Sequence, residues 1–99
     1  MTMIIPPLCR AGRALVGLSQ TQLADLAGVS LQTVAWFEIG KRNPVYATRR
    51  ALEDALAVSG VAFVPEDGGG PGVRLRDSLS PVAEARKVIR GKRKKMRSA

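Results

Sequence analysis

Three glycines and two serines punctuate the first half of the chain, and they constrain its fold more than any other feature. Gly17 and Gly28 are each followed two residues later by a serine, Ser19 and Ser30, and Gly40 comes one helix length after that. A glycine takes the left-handed conformation that ends a helix without meeting a β-carbon penalty. A serine in turn supplies the side-chain oxygen that starts the next one. Leu8, Ala11, Ala14 and Leu15 recur at helical spacing, which predicts a first helix from about Pro7 to Val16, opened by Pro6 and Pro7. Ser19 then caps Gln20–Ala27, with Leu23, Ala24 and Ala27 facing inward. Ser30 caps Leu31–Ile39, with Val34 and Phe37 as the buried pair. After the turn Lys41-Arg42-Asn43-Pro44, a fourth helix runs from roughly Ala47 to Val58, with Leu52, Ala55 and Leu56 as its apolar stripe, and Gly60 closes the helical part. Connections this short pack four helices into a compact bundle.

The texture changes at Val61. Val61-Ala62-Phe63-Val64 is β-branched and aromatic, Pro65–Gly72 is rich in turn residues, and Val73-Arg74-Leu75-Arg76 alternates apolar and basic. This reads as a β-hairpin. A lone hairpin is marginal in water, so it must pack on the helices or pair with a second chain along a strand edge. The glycine-rich turn lacks the Gly-Lys-Ser/Thr ending and the following helix of a phosphate loop. Ser80-Pro81 suits a helix start, with Val82, Ala85, Val88 and Ile89 at near-helical spacing. From Arg90 the chain is a charge run with no core to join, expected to be disordered unless a polyanion is present. The expected division is a helical domain at 1–60, a hairpin and candidate dimerisation element at 61–77, and a basic, partly disordered tail at 78–99.

The net charge of +8 is unevenly placed. Residues 1–83 carry eight basic against seven acidic side chains, whereas residues 84–99 carry the other eight basics against Glu84 alone. The high isoelectric point therefore describes the tail and says little about the domain. With 99 residues the core is small, and dimerisation would bury more surface. Cys9 is the single cysteine and there is no histidine, which removes disulfides, cysteine–histidine metal clusters and imidazole bases. A small, partly buried side chain is the plain reading of Cys9. These absences argue against an enzyme and against a cofactor. No apolar run approaches the ~20 residues a membrane helix needs, and Met1–Pro7 is too short for a signal peptide. The expected location is the cytoplasm, at the nucleoid, with no membrane partner.

The stretch Gly17-Leu18-Ser19-Gln20-Thr21-Gln22-Leu23-Ala24, then Ala27-Gly28-Val29-Ser30, Val34, Phe37-Glu38-x-Gly40 and Arg42-Asn43-Pro44 resembles the Cro/repressor-type helix-turn-helix regulators, the XRE or lambda-repressor-like class. The resemblance implies a mainly α, four-helix lambda-repressor-like domain, here followed by the hairpin and basic tail. It also implies that the third helix enters the major groove of double-stranded DNA. In that family the Gln20 position anchors a phosphate. Ser19 and Ser30 are expected phosphate neighbours at the two helix starts, and Lys41 and Arg42 match positions that grip the backbone. Arg13 and Glu38 match the family's structural arginine–glutamate pair, which ties the first helix to the third.

Base reading is expected from Leu31, Gln32, Ala35 and Trp36. Gln32 is the best candidate for a bidentate contact to adenine. The others are apolar where the family is usually polar or basic. They can meet thymine methyls or a groove wall; Trp36 can instead turn into the core, or the face can serve a protein partner. The Gly60–Val64 and Gly69–Arg76 segments are similar to the endings of many small regulators of this class in proteobacteria. Two readings follow. The first is a dimeric, sequence-specific DNA-binding regulator of the repressor type, with double-stranded DNA and a second copy as partners. The alternative is an antiactivator that covers another regulator protein with the apolar face of helix 31–39. The basic tail is expected to add DNA-phosphate contacts, to meet an acidic protein, or to serve only for solubility.

Overall fold

The computed structural model describes residues 4–77. Its elements run α1 (Pro6–Val16), α2 (Gln20–Ala27), α3 (Leu31–Glu38), α4 (Tyr46–Val58), β1 (Val61–Val64) and β2 (Gly72–Leu75). The expected helix at Ser80-Pro81 and the charge run from Arg90 lie outside the described residues.

The first three helices end alike. Gly17, Gly28 and Gly40 all take positive φ. The residue after each glycine bonds back to a carbonyl five positions earlier: Leu18 to Arg13 at 3.0 Å, Val29 to Ala24 at 3.0 Å and Lys41 to Trp36 at 2.9 Å. This is the wide bond of a Schellman turn, which satisfies carbonyls that a helix end leaves free. At the helix starts Ser19 and Ser30 accept from the backbone N–H groups of Gln22 and Thr33. Gln22 also bonds back to the Ser19 N–H, completing a capping box.

One core joins all the elements. Leu23 and Ala24 of α2, Val34 and Phe37 of α3, and Leu52, Ala55 and Leu56 of α4 are buried together, with Ala27 half-buried beside them. α1 departs from its expected stripe. Ala11 and Ala14 are exposed, while Leu8, Cys9, Gly12 and Val16 are the buried positions. The frame is set by Gly12: a β-carbon there would stand 3.2 Å from a Leu56 methyl and 3.6 Å from Val61. The missing side chain brings α1 close to α4 and β1, and that approach turns the two alanines outward. α3 ends at Glu38, with Ile39 as its C-cap, and α4 begins at Tyr46.

The strands pair antiparallel, Val61 opposite Leu75 and Phe63 opposite Val73. These four side chains share one face, as the two-residue period requires, and all four belong to the helical core or pack against it. The hairpin thus buries its apolar face on α1 and α4. Arg76 continues the pairing through its N–H to the Gly60 carbonyl at 2.9 Å, and its guanidinium reaches the Ala57 carbonyl at 2.9 Å.

Candidate nucleic-acid interface

α2, the Gly28 turn and α3 form the helix-turn-helix, and α3 divides the molecule into an inside and an outside. Val34, Phe37 and Glu38 point inward. At about 100° per residue the opposite line carries Gln32 and Trp36, one turn apart. Leu31 is 49% exposed and Gln32 is exposed, while Ala35 and Trp36 are partly covered. Gln32 and Trp36 thus share the outward line, Ala35 stands on its flank, and Leu31 is exposed at the helix start, nearer the Glu38 side. Ile39, 70% exposed just beyond α3, was missed. Its spacing, seven from Gln32 and three from Trp36, sets it on their line, and only its apolar identity pointed the other way.

The inward side is fixed by Glu38, a charged residue only 1% exposed. The Arg13 guanidinium grips it bidentately, Nε on Oε2 and Nη2 on Oε1, both at 2.7 Å. Gln20 Nε2 donates to Oε1 at 3.0 Å and the Cys9 thiol to Oε2 at 3.1 Å. Arg10 donates to the Glu38 backbone carbonyl, and Arg13 also reaches the Leu18 carbonyl at 3.0 Å. Burial pushes the Glu38 carboxyl upward in pKa. The hydrogen bonds from Arg13, Gln20 and Cys9, with the Arg13 charge, more than offset this and hold it below the ordinary carboxylate value. Glu38 raises the Arg13 pKa in return. Burial first, then the bond to and charge of Glu38, push the Cys9 thiol above its usual value, so it stays protonated. The pair expected to tie the first helix to the third has that geometry, and Cys9 and Gln20 join it. Neither was foreseen in this role, because local spacing does not report a carboxylate 29 or 18 positions away.

The expected phosphate residues divide into three settings. Ser19 and Ser30 are exposed caps. Each caps a helix start whose first N–H groups lack intrahelical acceptors, a setting suited to anions. Gln20 is partly buried and gives one amide hydrogen to Glu38; a primary amide has a second. Lys41 and Arg42 are exposed, yet both cations gather over one ring: Lys41 Nζ lies 4.9 Å and Arg42 Cζ 5.1 Å from the Trp36 centroid. Both backbone N–H groups also bond the Trp36 carbonyl, at 2.9 and 3.3 Å. Trp36 stands outside the core cluster. Two positive side chains at the C-terminal end of α3 also complement the helix dipole.

Among the described residues no group of three or more Cys, Asp and Glu is placed to hold a metal ion. No described helix is long and apolar enough to cross a membrane.

Four helices with a tight α2–α3 turn and an outward α3 define the class of small helix-turn-helix proteins. The family model described as a helix-turn-helix domain matches residues 9–63, more than half of the chain, and the chain belongs to that family. The match is consistent with the XRE-like regulators that the sequence resembles. No curated protein matches the chain.

Proposed function

We propose that the protein is a sequence-specific DNA-binding transcriptional regulator that docks α3 in the major groove. The observation that carries this reading is the asymmetry of α3. Its inward side is locked by Glu38, while Leu31 and Gln32 are exposed, as are the Ser19 and Ser30 caps and Lys41 and Arg42. Gln32 would read adenine, Leu31 and Ala35 would meet thymine methyls, and the caps and cations would hold phosphates. The protein would act without a cofactor or catalytic chemistry.

The proposed assembly is a homodimer on a two-fold operator, the usual geometry for this motif. Among the described residues the sheet has two strands, so each keeps one edge open for pairing. Light scattering should give a dimer mass at micromolar concentration. A monomer mass independent of concentration would remove this part of the proposal. Occupying a promoter with such a domain excludes polymerase sterically, so repression is the proposed sign of regulation.

A second reading is favoured by the exposure of Leu31 and Ile39, which leaves apolar surface at the two ends of α3. On it, the protein is an antiactivator covering another regulator. An electrophoretic shift with the duplex upstream of its own gene, competed by specific and nonspecific DNA, separates the two. A shift abolished by the specific competitor and not by the nonspecific one supports the DNA-binding reading, and no shift at all supports the antiactivator.

A further inference from the structure

The three Schellman turns place Leu18, Val29 and Lys41 after the glycine. In this motif the residue after the glycine packs against the residue that supplies the wide carbonyl, usually through apolar groups. The third turn puts Lys41 in that place, opposite Trp36, with Arg42 following. The apolar contact is replaced by a cation over an aromatic face, and Arg42 adds a second at nearly the same distance.

Two like charges beside one another repel, and long side chains on a turn lose rotamer freedom when held. Both costs are offset here by the negative face of the indole and by the two N–H bonds that fix the turn to the Trp36 carbonyl. We infer that Trp36 is a positioning residue: its ring gathers Lys41 and Arg42 into a preformed clamp for two DNA phosphates at the end of α3. The assignment rests on the proposed DNA-binding function and gives Trp36 a different task from reading bases. A preformed clamp binds DNA with less ordering of side chains than two free cations would need. The benefit is independent of base sequence, because phosphates carry none.

The test uses the full chain and four variants: Trp36→Leu, Trp36→Phe, Lys41→Ala/Arg42→Ala, and that double substitution combined with Trp36→Leu. In the DNA-free protein, NMR should show the Lys41 ε-methylene and Arg42 δ-methylene protons shifted upfield by the ring. Trp36→Leu should return them to ordinary positions and Trp36→Phe should keep part of the shift. Fluorescence anisotropy then follows binding to the upstream duplex and to a scrambled duplex across a salt series. Trp36→Leu should weaken both complexes by about the same factor, on the order of tenfold, with Trp36→Phe recovering most of it. Introducing Trp36→Leu into the Lys41→Ala/Arg42→Ala background should add almost nothing.

Ordinary Lys41 and Arg42 shifts in the unmodified chain would overturn the clamp. A loss confined to the upstream duplex would also overturn it, making Trp36 a base reader. Full additivity with the double substitution would do the same. If the unmodified chain binds neither duplex, the DNA-binding reading fails and the clamp's task with it, even where the ring shifts stand.

Discussion

On its inward side α3 is held by one carboxylate that takes four hydrogen bonds from Cys9, Arg13 and Gln20; on its outward side two cations share a single ring. The same eight-residue helix therefore carries two charge clusters of opposite design. The Glu38 cluster is buried, so removing one partner strands a charge away from water. The Trp36 cluster is only partly covered, so each of its contacts is worth less than a buried one. The first can set where α3 stands, and the second can set only what its surface offers. Stability and the proposed recognition thereby fall on different sides of one helix, where substitution can separate them.

The largest expected break is Glu38→Ala. It should cost ~3 kcal/mol or more, because Arg13 is left without its partner, and thermal melting and DNA binding should fall together. Unchanged melting with weakened binding would move Glu38 to the recognition side of the comparison. Gly12→Val comes next. The first atom beyond Cα would already stand 3.2 Å from a Leu56 methyl, so overpacking of ~1–3 kcal/mol is expected, read as a lower denaturation midpoint. Gly12→Ala should fall well short of this, since a methyl end can give by a few tenths of an ångström.

Acid should sharpen the contrast between the two sides. Glu38 has a folded-state pKa held below its ordinary value of 4.5. Its contribution is thus present above pH 4.5 and is lost as pH falls through the lower, folded-state value. Melting temperature should decline below about pH 4.5, and the decline should be shallower in Arg13→Leu. The same comparison at the surface predicts the smallest effect. The Arg50–Asp54 pair spans one helical turn at 3.1 Å with both side chains at least half exposed. Asp54→Ala should leave the melting temperature almost unchanged, and a loss as large as that of Glu38→Ala would contradict the role given to burial.

What was readable in advance follows the range of the physics involved. Caps and stops are local, so Ser19, Ser30 and the glycines located α2 and α3 to within a residue. Alternation and the glycine-rich turn likewise located the hairpin. The α1 stripe was misread because alanine is apolar enough to count as core and small enough to stand in water. The deciding contact, Gly12 against Leu56, lies far away in the chain. Glu53 on α4 is buried as well, which a charged identity did not suggest. In the candidate interface, the Arg13–Glu38 pair came from family resemblance and not from spacing. The gathering of Lys41 and Arg42 on Trp36 depends on the path of the turn after Gly40, which composition does not encode.

On the proposed function, α3 is held on one side and binds DNA with the other. Amide chemical-shift mapping of the full chain titrated with the upstream duplex tests it most directly. Perturbations should concentrate at Ser19 and Gln20, at Ser30 to Gln32, at Ala35 and Trp36, and at Lys41 and Arg42, with the amides of Val34, Phe37 and Leu52 little changed. Shifts confined to the hairpin, or a spectrum left unchanged at saturating duplex, would contradict it.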